Sequence, residues 1–284
     1  MEHFDMPILS GNTPPATDPL LRQRIEYWYE KLAFPKSFDA DFRKALEEIP
    51  ISDGVSIDTY DLKAEDGKRN LLSFLAMCDD LAAIYAEKGL PEAVLLDSLS
   101  DIPRWTKVWS EVEGTLCLRE LGWLRMTLGG KLFKLGRLQF ALGSAPKDAP
   151  ELGVKKGDPV IEIHIPRDGP LDPTACDASF AMAETFFATY FPEFNYRYYT
   201  CHSWLLDETI DDLLGEGSNI TAFRKRFQML AQIPADDIFR YCMNWTMTRE
   251  KVAAFVCRNN FGRRVQAETV KGRRFYVGYG IIPR

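Results

Sequence analysis

Val160-Ile161-Glu162-Ile163-His164-Ile165-Pro166-Arg167-Asp168-Gly169-Pro170-Leu171-Asp172-Pro173 is followed by an apolar run from Asp177 to Phe191, and then by Tyr196 to Leu206. Alternation over Val160–Ile165 predicts a strand. The prolines and glycine from Pro166 to Pro173 predict a turn-rich loop. The apolar run predicts a helix, and Tyr196–Leu206 a second strand. The helix is long enough to cross over between parallel strands, so residues 160–206 read as a right-handed β-α-β unit. This unit decides the fold class, an α/β or α+β protein.

The pattern extends outward on both sides. Trp123–Leu128 reads as a strand, Gly129-Gly130 as a hairpin turn, and Lys131–Phe140 as the returning strand. Residues 143–157 form a loop. Beyond the unit, Ser218 is the natural cap of a helix running to Leu230. Ile238–Trp245 is a strand candidate, Arg249–Val256 and Arg263–Val270 are short helices, and Arg274–Ile282 is a last strand. Upstream the period is helical. Residues 1–19 read as an extended arm, with Asp18 capping and Pro19 opening a first helix. Further helices are expected over Phe42–Ile49, Asn70–Lys88, Pro91–Leu99 and Asp101–Leu121. The chain therefore divides into a helical N-terminal domain, residues 1–122, and a sheet-bearing domain, residues 123–284.

Composition removes several classes. The 284 residues are 46% hydrophobic and 27% charged, ordinary for a globular chain. No run approaches the roughly 20 apolar residues of a membrane helix, and the acidic N-terminus lacks a signal pattern. No membrane partner is expected, and the cytoplasm is the default location. Six scattered cysteines with no C-x-x-C argue for buried free thiols and against a metal site. Charge is uneven: residues 1–122 hold 23 acidic against 13 basic side chains, whereas residues 222–284 hold 4 against 13. That favours an anionic partner near the C-terminal end. Overall acidity and the lack of any nucleic-acid motif exclude bulk nucleic-acid binding.

Chemistry-bearing residues gather on the β-α-β unit. Glu162 and His164 share one strand face. Such a pair can serve as a general base with an orienting partner, or it can be a solvated structural face. Pro166–Pro173 lies where a strand-to-helix junction offers backbone N–H groups to an anion; a plain turn fits the same residues. On the second strand, His202 falls beside Glu162 and His164. Cys201 and His202 point to opposite faces and form no dyad. Ser203 lacks the G-x-S-x-G turn of a hydrolase nucleophile.

The segments Leu135-Gly136-Arg137-Leu138-Gln139-Phe140, Ile163-His164-Ile165-Pro166 with Gly169-Pro170-Leu171, Cys201-His202-Ser203-Trp204-Leu205-Leu206 and Ser218-Asn219-Ile220 carry a resemblance. They resemble bacterial acyltransferase-domain proteins with a GNAT-like C-terminal domain, associated with N-acylation in natural-product biosynthesis. The likeness covers residues 120–282 well and the helical part loosely. It implies a helical N-terminal domain, then a GNAT-like mixed sheet with a central β-α-β unit whose parallel strands splay. It implies an N-acyltransferase that moves an acyl group from acyl-CoA, or another acyl thioester, to a small-molecule amine acceptor, with no metal. Glu162 and His164 match the base positions, and His202 or Ser203 would return a proton to the leaving thiolate. Ile165, Arg167, Gly169 and Leu171 match the donor-binding segment. One departure stands out: Arg167-Asp168-Gly169-Pro170 is a degenerate form of the family's Arg/Gln-x-x-Gly-x-Gly/Ala loop. The alternative is a non-catalytic GNAT-like module that binds a ligand or a protein. Oligomeric state is left open.

Overall fold

A computed structural model describes residues 18–284; the arm expected over residues 1–19 lies almost wholly outside the described residues. Helix α1 (Pro19–Lys31) starts where Asp18 accepts hydrogen bonds from the N–H groups of Leu20 and Leu21, and it buries Leu21, Ile25, Trp28 and Tyr29. That is one stripe of a 3.6-residue period. Helix α2 (Asp39–Glu48) follows. The single helix expected over Asn70–Lys88 is two, α3 (Gly67–Ala76) and α4 (Cys78–Lys88), broken at Met77. Helices α5 (Glu92–Leu99) and α6 (Asp101–Glu113) come next.

The largest correction comes at residues 121–130. Trp123–Leu128 is not a strand but the body of α7 (Leu121–Leu128), and Gly129 closes that helix. Leu121, Leu124 and Leu128 are buried on one helical stripe; the segment is too short for its period to separate helix from strand. The hairpin lies wholly within residues 132–144. Strand β1 (Leu132–Leu135) turns at Gly136-Arg137 into β2 (Leu138–Ser144). Gly136 has φ 72°, and a side chain there would meet the Ser179 hydroxyl.

The β-α-β unit forms as expected: β3 (Pro159–His164), α8 (Pro173–Tyr190) and β4 (Tyr198–Ser203), with β3 and β4 parallel. Downstream, two expectations reverse. The helix starting at Ser218 is short, α9 (Asn219–Arg224), and Gln228–Pro234 becomes β5. The expected strand Ile238–Trp245 contains instead α10 (Asp237–Cys242). Helix α11 (Asn260–Val270) and β6 (Tyr276–Pro283) complete a six-stranded mixed sheet in the order β1-β2-β3-β4-β6-β5.

Helix α8 covers one sheet face. Phe186, Phe187 and Phe191 close on Phe133 with ring centroids 5.0–5.9 Å apart. Each fully buried phenylalanine contributes on the order of 1.5–3 kcal/mol. Ser179 fixes α8 to the β1–β2 turn, accepting from Arg137 N at 2.7 Å. One continuous core runs from α1 through the sheet to Val277. The opposite sheet face carries Gln139, Glu162, His164, Thr200 and His202, and it faces α6 and α7. Among the described residues no helix is long and apolar enough to cross a membrane.

Candidate active site

The two central parallel strands are joined at only two positions, Ile161↔Tyr199 and Glu162↔Thr200. Strand β2 follows β3 to His164, and β6 follows β4 to Ser203. The outer neighbours hold both strands while the inner ladder stops, so β3 and β4 part after Glu162 and Thr200. Past these two pairs the edge of β3 away from β2 and the edge of β4 away from β6 have no ladder partner, and unpaired backbone groups of this kind are available to an extended ligand. The gap opens into a cavity of about 1010 Å³.

His164 and His202 both line this cavity, on the same sheet face. The Trp123 ring stands edge-on to His164, centroids 4.7 Å apart. His164 Nε2 is buried without a hydrogen-bond partner, and its separation from Glu162 Oε2 is 3.7 Å. The expected pair is thus brought together, short of a hydrogen bond. Glu162 is set back from the cavity, its carboxyl lying over Gly143. His202 is exposed and pairs across to Tyr279. Ser203 also lines the cavity, but its Oγ accepts from Leu205 N at 3.2 Å, capping a short 3-10 turn.

Ile165, Arg167, Gly169 and Leu171 line the same cavity. Arg167 is exposed, and its charge reaches Tyr241 and Cys242. Leu171 is buried in the core cluster and offers packing. The start of α8 is largely self-satisfied. Pro173 has no N–H, and Asp172 accepts from Ala175 N at 2.9 Å.

A latch supports the loop instead. Arg137 Nε donates to Pro170 O at 2.8 Å, and its Nη2 donates to Gly169 O at 2.9 Å. Asp168 receives Lys134 Nζ at 2.6 Å and Arg104 Nη2 at 2.8 Å. Burial pushes the Asp168 carboxyl up, but Lys134, Arg104 and Arg137 outweigh it and hold the group below the usual range. Arg104 also pairs with Asp101, which is almost fully buried. Asp101 Oδ2 in turn accepts from Gln139 Nε2 at 2.5 Å and Trp123 Nε1 at 3.0 Å. One polar chain thereby links α6, α7, β1, β2 and the loop.

Sequence reasoning missed Asp101, Arg104, Trp123, Gln139 and Glu120, all of which line the cavity. Their spacing is that of ordinary helix and strand residues. The expected anionic partner for the basic C-terminal end finds part of its answer inside the chain: Arg224 pairs with Asp211, Arg226 with Asp177 and Arg273 with Asp212. All six cysteines are buried and free. Burial pushes the Cys201 thiol up strongly and the Cys242 thiol to about 12, which disfavours the thiolate a nucleophile needs. No group of three or more His, Cys, Asp or Glu among the described residues could hold a metal ion.

Comparison with known proteins bears on the same elements. The GNAT-like C-terminal domain family matches residues 132–282, and the N-acyltransferase N-terminal domain family matches residues 9–130. A crystal structure of an acyltransferase in complex with decanoyl-CoA and teicoplanin is 21% identical, with TM-score 0.75, over 98% of this chain and 91% of that one. A second, of an acyltransferase in complex with decanoyl-CoA, is 24% identical, with TM-score 0.75, over 91% of this chain and 87% of that one. At these identities the likeness shows a shared fold. Comparison with curated proteins finds no match.

Proposed function

The chain belongs to the GNAT-like C-terminal domain family, and from that premise we propose that it is an N-acyltransferase, moving an acyl group from acyl-CoA or a related thioester to the amine of a small-molecule acceptor. The observation that carries this reading is the parting of β3 and β4 directly into a large cavity. An extended pantetheine-like arm can take up the backbone groups of β3 left unpaired on its β4 side past Glu162. The similar solved structures hold decanoyl-CoA. The latch cations Arg104 and Arg137 line the cavity beside the loop and supply positive charge where the glycine pattern is missing. The same reading keeps a helical part, residues 1–122, ahead of a sheet-bearing part, residues 123–284, with α7 lying across their junction. A cytoplasmic setting goes with the reading.

In the reaction, the amine nitrogen attacks the thioester carbonyl carbon. His164 takes the proton, with Glu162 behind it as orienting partner, and the tetrahedral oxyanion is held by a backbone N–H near Ile165. The C–S bond then breaks, and the proton taken by His164 passes by way of His202 to the thiolate, leaving amide and free thiol. Ser203 is spent on its cap and serves position rather than proton transfer. A positioned base contributes roughly 10²–10⁴-fold to rate.

A second reading is favoured by one observation: Asp168 sits among the cations and Asp172 caps α8, so an anion has to compete for the loop. On that reading the module binds a ligand or protein without catalysis. Calorimetric titration with CoA and with short and medium acyl-CoAs separates the two. Saturable binding supports the transferase, and no binding to any of them removes the CoA version. Replacing Glu162 and His164 together is expected to lower turnover about 10²-fold or more while leaving CoA binding intact; unchanged turnover moves the base elsewhere.

A further inference from the structure

The cavity holds a carboxylate to which acyl transfer assigns no task. Glu120 precedes α7 and lines the cavity together with Trp105, Trp123, Tyr241 and Trp245. Its Oε2 accepts from Trp109 Nε1 at 3.3 Å, and no ion pair is made by it among the described residues. Burial pushes this carboxyl above the usual range, and the Trp109 and Trp245 indoles and the charge of Arg240 offset that in part. Arg240 is itself laid against Trp245, 5.9 Å from the ring centroid. The carboxylates elsewhere on this wall differ: Asp101 is neutralised by Arg104, and Glu111 is exposed to solvent at the rim.

The rings around Glu120 are contiguous. Trp105 and Trp245 have centroids 4.6 Å apart at 61°. Tyr241 stands edge-on to Trp245 at 5.4 Å, and Trp204 lies 5.8 Å from Tyr241. The wall therefore joins α6, the Trp245 loop and α10. Burial outweighs what the two indoles and Arg240 return to this carboxylate, so a further positive charge beside it is favourable. Aromatic faces attract cations through their quadrupole, most strongly where water is excluded. An anionic group is repelled by Glu120, a neutral donor gains less from it than a cation does, and a metal ion finds no further ligands among the described residues. An organic ammonium on a flat body satisfies both the carboxylate and the rings.

We propose that Glu120 with Trp105, Tyr241 and Trp245 forms the acceptor's recognition site, selecting an amine that arrives as its ammonium on an aromatic or similarly flat scaffold. The inference deepens the acyltransferase reading and rests on it for the word acceptor. Glu120 is the residue before α7, and Trp123 in the first turn of that helix lines the same cavity and sets its ring against His164. The ammonium is thus held one side chain away from the base that takes its proton. The acidic side chain acts in binding; the ammonium releases one proton to solvent before the nitrogen attacks, and His164 takes the next as the tetrahedral adduct forms.

The test uses the full chain without any thioester. Benzyltrimethylammonium, which carries a fixed charge and cannot be acylated, and benzyl alcohol, its neutral counterpart, are titrated against tryptophan fluorescence. The cation is expected to bind at least about tenfold tighter. Glu120→Gln, which keeps an acceptor for Trp109, is expected to abolish that preference. Trp105→Leu is the second variant and is expected to reduce it. Equal affinities, no binding of either probe, or a preference that survives both substitutions overturns the proposal. Decanoyl-CoA titrated in parallel separates the two claims: loss of donor binding with the cation preference intact sinks the transferase reading alone, and donor binding without a cation preference sinks this site alone.

Discussion

Two carboxylates on the cavity's surroundings have opposite fates. Asp168, at the loop, is gripped by Lys134, Arg104 and Arg137, and its acidity is strengthened. Glu120, on the helical wall, meets indoles, and its acidity is weakened. The loop region is thus internally satisfied and built to hold shape. The Glu120 region is only partly compensated, by the Trp109 and Trp245 indoles and the charge of Arg240, and leaves room for a cation that the chain itself does not supply. A polar group's partners, more than its residue type, separate scaffold from recognition surface.

The contrast breaks most visibly at Asp101, which holds the latch from the helical side. Asp101→Ala leaves Arg104 with a lost partner and strands the Trp123 and Gln139 donors. Urea denaturation is expected to show a loss of about 3–5 kcal/mol, the range for removing one member of a buried pair. A loss within about 0.5 kcal/mol, as at an ordinary surface site, would show that the latch is not buried structure.

Arg137→Ala comes next. It frees the carbonyls of Gly169 and Pro170, and CoA affinity is expected to fall about tenfold, a difference of about 1.4 kcal/mol, as read by calorimetry. Arg137→Lys is expected not to restore it, because an ammonium cannot reproduce the forked geometry. Rescue by lysine would reduce Arg137 to a point charge.

The smallest effects sharpen the comparison through pH. Asp168 has a lowered folded-state pKa, so its contribution to stability is present above the unfolded value of about 3.9 and is lost as pH falls through the folded one. Asp168→Asn is therefore expected to be destabilising at pH 7, with the deficit shrinking in acid. Glu120 has a raised one, so its favourable contribution exists below about 4.3 and is lost as pH rises through the folded value. Glu120→Gln is expected to be more stable than the parent at pH 7 and no different in acid. Thermal melts across pH check both, and slopes of the same sign would erase the distinction.

The two regions were also unequally legible. Alternation at Ile161–Ile165, the prolines of the loop and the apolar run of α8 are local signals, and they specify the β-α-β unit and its open end. The helical wall is a tertiary product. Trp123 carries a short apolar pattern that fits strand and helix alike, and packing of Leu121, Leu124 and Leu128 makes it helix. Asp101 and Arg104 look like any pair one turn apart until β1, β2 and the loop are brought against them. Glu120 acquires its character only when Trp105 and Trp245, 140 positions apart in the sequence, meet at 4.6 Å. The hairpin was displaced for a related reason: Gly129-Gly130 has the composition of a turn but ends a helix, while Gly136-Arg137 makes the turn because Ser179 receives its N–H groups.

Amine-dependent transfer from a thioester seated between β3 and β4 is the activity proposed for the cavity. Its most direct measurement is release of free thiol from decanoyl-CoA by the full chain, followed with a thiol reagent while the acceptor's mass is monitored across a panel of aromatic and aliphatic amines. Thiol release is expected only when an amine is present, matched by a decanoyl mass gain on that amine and abolished by replacing Glu162 and His164. An intact thioester with every amine, or thiol release without acylated amine, would contradict it.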